Sequence, residues 1–194
     1  MATNNCSPVT FFDTCKDSFY FEETKTACVL VDAFKKSPRC LPYQFQSKDN
    51  KFMVLNRDRK FDLNNLTKEQ LHQPESRFLI QTFQDSDLTP RRGRPVMVYT
   101  IENDKKMVAC CYDENQVRAE PMEVPNNIDE TVHKAIFYMT EVEGLGNAFM
   151  FESTLFKARF LGFEPVKGLL KLVLHDKLDE VDEGCQFFLT KCKP

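Results

Sequence analysis

Apolar and polar residues along this chain alternate in short runs rather than at helical spacing. Phe52-Met53-Val54 and Val96-Met97-Val98-Tyr99-Thr100-Ile101 show the two-residue period of strands, although several runs are almost continuously apolar. The pattern predicts strands at 41–46, 51–57, 77–84, 95–102, 105–112, 116–123, 135–142, 148–153, 158–164, 169–175 and 185–191. Turn-forming residues separate them: Lys48-Asp49-Asn50, Asn103-Asp104, Asp113-Glu114-Asn115, Pro125-Asn126-Asn127 and Gly144-Leu145-Gly146-Asn147. Only 66–73 and 177–183 read as short helical turns, the first capped by Thr67. In FESTLFKARFLGFEPVKGLLKLVL (151–174), Phe151, Phe160 and Leu172 fit inward positions, and Glu152, Lys157 and Lys171 fit the solvated face.

A weak internal repeat narrows the fold. YQFQSKDNKFMVLN (43–56), VYTIENDKKMVACC (98–111) and MFESTLFKARFLGF (150–163) superimpose at spacings of 55 and 52 residues, each a strand, a polar turn and a second strand. One such unit cannot bury its apolar face alone, so three must close on one another. The expectation is an all-β fold, a three-fold β-trefoil of about 12 strands.

Composition changes this picture little. A chain of 194 residues holds one domain with at most an appendage. It has 18 phenylalanines and no tryptophan, so aromatic packing falls to Phe. A net charge of −3 argues against a general nucleic-acid binder, and no apolar run is long enough for membrane insertion. Charge divides the chain. Residues 1–32 carry Asp13, Asp17, Glu22, Glu23 and Asp32 against Lys16 and Lys25, which equals the whole-chain balance. Residues 33–60 carry eight Lys or Arg against Asp49 and Asp58. An acidic leader before a basic segment has the form of a removable mask, or of a tail without a role.

The chemistry-bearing residues form no catalytic constellation. The eight cysteines show no C-x-x-C spacing, and His72, His133 and His175 lie far from any cysteine pair in sequence. Cys110-Cys111 sits in an apolar run and reads as core filling. Neither a Gly-rich phosphate loop nor a G-x-S-x-G elbow occurs, so an enzyme is not expected and neither cofactor nor metal is implied. The N-terminus lacks the basic and apolar regions of a secretory signal, so thiols and an unmodified Asn65-Leu66-Thr67 triplet are expected.

The order F-E-S (151–153), then Phe160-Leu161, then the L-x-K-L-x-L strand (169–174) resembles the C-terminal block of the interleukin-1 family of cytokines. KFMVLNRDRKFDLNNLT (51–67), RFLIQTFQDS with PRRGRPVMVYTI (77–101), EPMEVPNNIDET (120–131) with KAIFYMTEVEG (134–144), and CQFFLTKC (185–192) extend it over about residues 41–194. The resemblance implies a cytosolic precursor that leaves the cell without a leader after an inflammatory caspase, caspase-1, cuts behind an aspartate. Val29-Leu30-Val31-Asp32 before Ala33 occupies that place, giving an acidic propeptide 1–32 and a β-trefoil cytokine domain 33–194. Asp13 is a second site of the same kind, and Val29 departs from the larger residue this protease prefers.

The resemblance also implies a monomer that gathers two immunoglobulin-type receptor chains, with a soluble binding protein as a decoy. Lys36, Asp49, Leu66 and Asn147 match positions used toward the first chain, and Lys134 stands where an acidic residue faces the accessory chain. Phe45 stands where mammalian members carry an arginine. Two other readings stay open here. One is a different ligand of the same family; the other is a non-signalling trefoil module of lectin or protease-inhibitor type.

Overall fold

Asn50, Asp104 and Ala158 take left-handed backbone (φ 60°, 61° and 61°), and each closes the turn of one of three equivalent hairpins spaced 54 residues apart. The three-fold pattern of the sequence is thus written into the chain direction itself. The computed structural model describes residues 9–15, 18–23, 33–86, 93–166, 168–176 and 183–192. The chain divides into two units, Met1–Val31 and Asp32–Pro194.

In the first unit, β1 (Val9–Cys15) pairs antiparallel with β2 (Ser18–Glu23), with a register shift between Phe11 and Asp13. The acidic leader therefore carries a hairpin that the hydrophobic pattern does not signal.

The second unit is a β-trefoil. Six strands close a barrel: β3 (Phe34–Gln46), β6 (Phe78–Asp85), β7 (Arg94–Glu102), β11 (Phe137–Glu141), β12 (Ala148–Ser153) and β15 (Phe187–Lys191). Each pairs antiparallel with the next, and β15 returns to β3. Three hairpins cap one end: β4–β5 (Phe52–Leu55, Phe61–Asn64), β8–β9 (Lys105–Cys111, Val117–Pro121) and β13–β14 (Arg159–Val166, Leu169–Asp176). The cap is stitched by β5–β14 pairing, by a bridge between Gln116 and Val173, and by the Ala119 N–H donating to the Arg59 carbonyl. Closure of this kind removes the free strand edges that invite aggregation.

The core repeats with the backbone. Phe45, Val98 and Phe151 recur every 53 residues, Met53, Met107 and Leu161 every 54, and Phe61, Val117 and Leu172 nearly so, all in one buried cluster. Phe45, Phe78, Phe151 and Phe187 meet there with ring centroids 5.5–5.8 Å apart. Three of these four pairs are edge-to-face, and such pairs add about 0.5–1.5 kcal/mol each beyond area burial. A second cluster joins Ala33, Phe34, Phe83, Met97, Tyr99, Val108, Cys110, Val124, Ile128, Ile136 and Tyr138. It explains the continuously apolar runs: β7 and β8 face the barrel interior on one side and the 122–136 segment on the other.

Each of the eleven expected strands has an observed counterpart. Four more are not expected: β1 and β2 of the first unit, β5, and the two-residue β10 (Asn127–Ile128). β3 starts at Phe34 instead of 41, and its polar half carries a bulge between Lys36 and Cys40. Buried Gln81 pins that bulge by donating to the Ser37 and Arg39 carbonyls. The 66–73 turn is a 3-10 turn at Gln70–His72, with Thr67 and Gln70 exchanging side-chain and backbone hydrogen bonds. Of 177–183, residues 177–182 lie outside the described residues, and Glu183–Cys185 forms one 3-10 turn. Two assignments change, one inward and one outward. Phe160 is half-buried and Leu161 takes the core position. Phe45, matched to a surface arginine, is 1% exposed at the centre of the core.

Candidate functional site

The β3–β4 turn holds Asp49 exposed. It sits on the rim of a pocket of about 190 Å³ lined by Ser47, Leu63, Phe163, Leu170 and Gln186, and Lys48 beside it forms an ion pair with Glu183. Asn147 is exposed in the turn before β12, where its carbonyl accepts the Leu189 N–H. Because β15 pairs with both β12 and β3, Phe188 lies between Ala148 and Gln46, and the Asn147 and Asp49 turns flank the same strand end. Leu66, half-buried, follows β5 past Asn64, which is paired with Phe52. The geometry therefore brings Asp49, Leu66 and Asn147 toward one end of the barrel.

Lys36 lies elsewhere. It is ten residues before Gln46 along β3, at most about 34 Å of extended strand. Its backbone N–H donates to the Asn126 carbonyl and its side chain is half-exposed. Asp32 lies outside the described residues, as do Asp13's side chain and the Arg91-Arg92 pair. Ala33, on the other side of the expected cut, is 5% exposed and Phe34 is fully buried. The Ala33 carbonyl accepts the Ser86 N–H at 3.1 Å, and Phe34 and Lys35 pair with Ile128 and Asn127 of β10. The charge pattern marks this junction as the end of a removable acidic leader, whereas the first residues after it belong to the core.

Lys134 occupies a third region. Its ammonium pairs with the Glu120 carboxylate, and that hydrogen bond holds its pKa above the ordinary lysine value. Around it stand three exposed apolar residues from three loops: Tyr112, Val132 and Leu155. The Arg118 guanidinium lies 4.5 Å over the Tyr112 ring. The Cys111 N–H donates to the Lys134 carbonyl and the Thr154 N–H to the Ile136 carbonyl, which ties the loops together. The sequence points to Lys134 alone here, since loop convergence leaves no periodic signal.

The reactive groups are arranged for structure. Ser153 is 2% exposed, and its hydroxyl accepts the Leu155 and Phe156 N–H groups, forming the turn after β12. Burial pushes the Cys110 thiol up to about 12 and that of Cys111 up to about 11, so both stay protonated near neutrality. Among the described residues no cluster of three metal-ligating side chains exists, and no helix is long and apolar enough to cross a membrane.

No protein-family model matches the chain. It is 30% identical to mouse interleukin-18 over 118 residues, 61% of this chain and 58% of that protein. To interleukin-18 of the cat it is 33% identical over 115 residues, 59% and 57% of the two chains. The match thus spans under three-fifths of the length of these curated relatives. Chicken interleukin-1 beta superimposes with a TM-score of 0.60 at 19% identity, covering 81% of this chain and 99% of that one. The fold is thus that of the interleukin-1 β-trefoil, and the sequence relatives are cytokines, not enzymes.

Proposed function

We propose that this chain is the precursor of a pro-inflammatory cytokine of interleukin-18 type, and that its barrel acts by gathering two receptor chains. The observation that carries the reading is the 30% identity to mouse interleukin-18 across a barrel with the interleukin-1 β-trefoil topology. A closed barrel with irregular loops at both ends is a rigid scaffold for several contact surfaces, and the regions around Asp49, Lys36 and Lys134 are separate on this one.

In this reading an inflammatory caspase such as caspase-1 cuts after Asp32 and removes the acidic leader 1–32. The released domain, 33–194, acts outside the cell, to which it passes from the cytosol without a secretory leader. The end of the barrel bearing Asp49, Leu66 and Asn147 engages an interleukin-18 receptor α chain, with Lys36 adding a second contact to the same chain. Asp49 supplies an exposed acceptor beside a pocket of mixed lining in which Leu63, Phe163 and Leu170 are the apolar part, a pairing suited to a receptor side chain with an apolar stem and a cationic or N–H tip. The β chain then docks around Lys134, and joining the two cytoplasmic domains starts inflammatory signalling and interferon-γ induction. A soluble binding protein would compete for the first surface.

Lys134 pairs internally with Glu120, so a β chain must match this pair as a dipole and not as a lone acidic group. That selects a co-adapted receptor from the same source. The test is binding of residues 1–194 and 33–194, side by side, to the same source's receptor α ectodomain. Tight binding by the shorter form alone supports both cytokine and mask. Equal binding removes the mask, and failure of both forms overturns the receptor reading.

A further inference from the structure

The loop that carries Lys134 is held by an acceptor that exists in only one protonation state. The Ala135 backbone N–H donates to His133 Nδ1 at 3.1 Å. Nδ1 can accept only if its proton is absent, so the ring is neutral with its proton on Nε2. The contact copies an Asx-turn, in which an Asn or Asp side chain accepts the N–H two residues on.

The chain just beyond His133 is rigidly buried. Ala135, Ile136 and Phe137 are all 0% exposed, and five further hydrogen bonds cross the loop. The His133 N–H donates to the Thr154 hydroxyl, the Thr154 hydroxyl to the His133 carbonyl, and the Ile136 N–H to that same carbonyl. The Cys111 N–H reaches the Lys134 carbonyl, and the Thr154 N–H the Ile136 carbonyl. Protonation would set an Nδ1–H against the Ala135 N–H, and one of the two must turn away. Ala135 is buried, so the ring is the group that turns, and the stretch bearing Val132 and Lys134 loses one of the hydrogen bonds that order it.

We propose that docking of the accessory receptor chain around the Glu120–Lys134 pair, near the exposed Tyr112, Val132 and Leu155, is released by acid, with His133 as its latch. The identity of the partner rests on the cytokine function proposed for the chain. The charged groups acting on the ring are Glu130 and Lys134 of its own loop; the first favours protonation and the second opposes it. The packed 153–155 segment brings Ser153, Thr154 and Leu155, which carry no charge, and the 110–112 run brings two buried thiols and the Tyr112 ring. Half-burial outweighs Glu130 and keeps the ring neutral below the ordinary histidine range. A partner captured at neutral pH would therefore be dropped in an acidified compartment.

The experiment has two arms on the 33–194 form. Nitrogen-15 NMR of the ring and the Ala135 amide is followed from pH 8 to 5. The wild type shows an Nε2–H ring whose titration moves the Ala135 amide; an Nδ1–H ring, or an Ala135 amide that stays fixed, overturns the latch. In the second arm, the accessory-chain ectodomain is bound to the preformed complex with the first receptor at pH 7.5 and 5.5. Wild-type affinity falls by about tenfold, within the usual range of coupling between sites. H133N keeps an acceptor for the Ala135 N–H and cannot titrate, so its affinity changes less than twofold. An equal fall in H133N overturns the proposal. Absence of accessory-chain binding at pH 7.5 overturns the functional reading, and the NMR arm then decides the latch by itself.

Discussion

If the leader is cut after Asp32 as proposed, Phe34 should control how fast it is removed. A protease cleft binds an extended substrate, so cutting after Asp32 requires Ala33 and Phe34 to leave the fold. Phe34 is fully buried among Phe83, Met97, Ile128, Ile136 and Tyr138, its ring 6.5 Å from that of Tyr138. Releasing it exposes one large apolar side chain, about 2–3 kcal/mol. It also breaks the Ser86 to Ala33 and Lys36 to Asn126 hydrogen bonds, about 1 kcal/mol each. An opening cost of about 4–5 kcal/mol leaves roughly one molecule in several thousand cleavable at a time. When closing is faster than cutting, the rate follows that population. Phe34→Ala removes the apolar part and should speed release of 33–194 by about a hundredfold, while lowering global stability by about 3 kcal/mol. The assay is timed digestion of residues 1–194 by an inflammatory caspase, read by intact mass, with urea unfolding to show that the variant is folded at the start. A variant cut at the wild-type rate, or a wild type cut as fast as an unfolded peptide of the same sequence, refutes the reasoning.

Ala158 bears a left-handed backbone cost (φ 61°) where Gly would not, so Ala158→Gly should raise stability by about 1 kcal/mol and the melting temperature by roughly 2–4 °C in calorimetry. Gly162→Ala places a Cβ 2.2 Å from the His175 ring and 3.0 Å from the Gly184 carbonyl, so it should displace His175 and destabilise by about 1–3 kcal/mol, measured by urea unfolding. Because His133 is kept neutral by burial, the unfolded chain takes its proton first, near 6.5. Stability should then fall with pH below that value until the folded ring titrates, and H133N should flatten this part of the curve. Cys110 and Cys111 should resist iodoacetamide at pH 8 in the native state and react fully in urea, counted by mass.

The fold is legible in the sequence because its signal is repeated. Three strand–turn–strand units about 54 residues apart set the trefoil, and each turn closes on a left-handed residue. β5 escapes because FDLN is four residues long between RDRK and NLTK, too short for a period to show. The N-terminal half of β3 escapes because KKSPRC is polar and bulged, held by Gln81 and Thr82 from the neighbouring strand. At Phe45 the family match points to the surface, while local alternation, Tyr43-Gln44-Phe45-Gln46, points inward, and the alternation is right. The surfaces are less legible. Asp49, Leu66 and Asn147 come together through strand pairing that a single sequence does not display. The pocket beside Asp49 needs residues from five separate stretches of chain. His133 reads as one isolated histidine, since its importance lies in a backbone N–H two residues away.

The most direct test of the central claim is the mass of the complex formed when residues 33–194 are mixed with the ectodomains of both receptor chains from the same source. Light scattering after size exclusion should show one copy of each chain, with the β chain joining only when the α chain is present. A 33–194 form that stays alone with both ectodomains at micromolar concentration would contradict the account and leave the trefoil as a shared fold without the shared function.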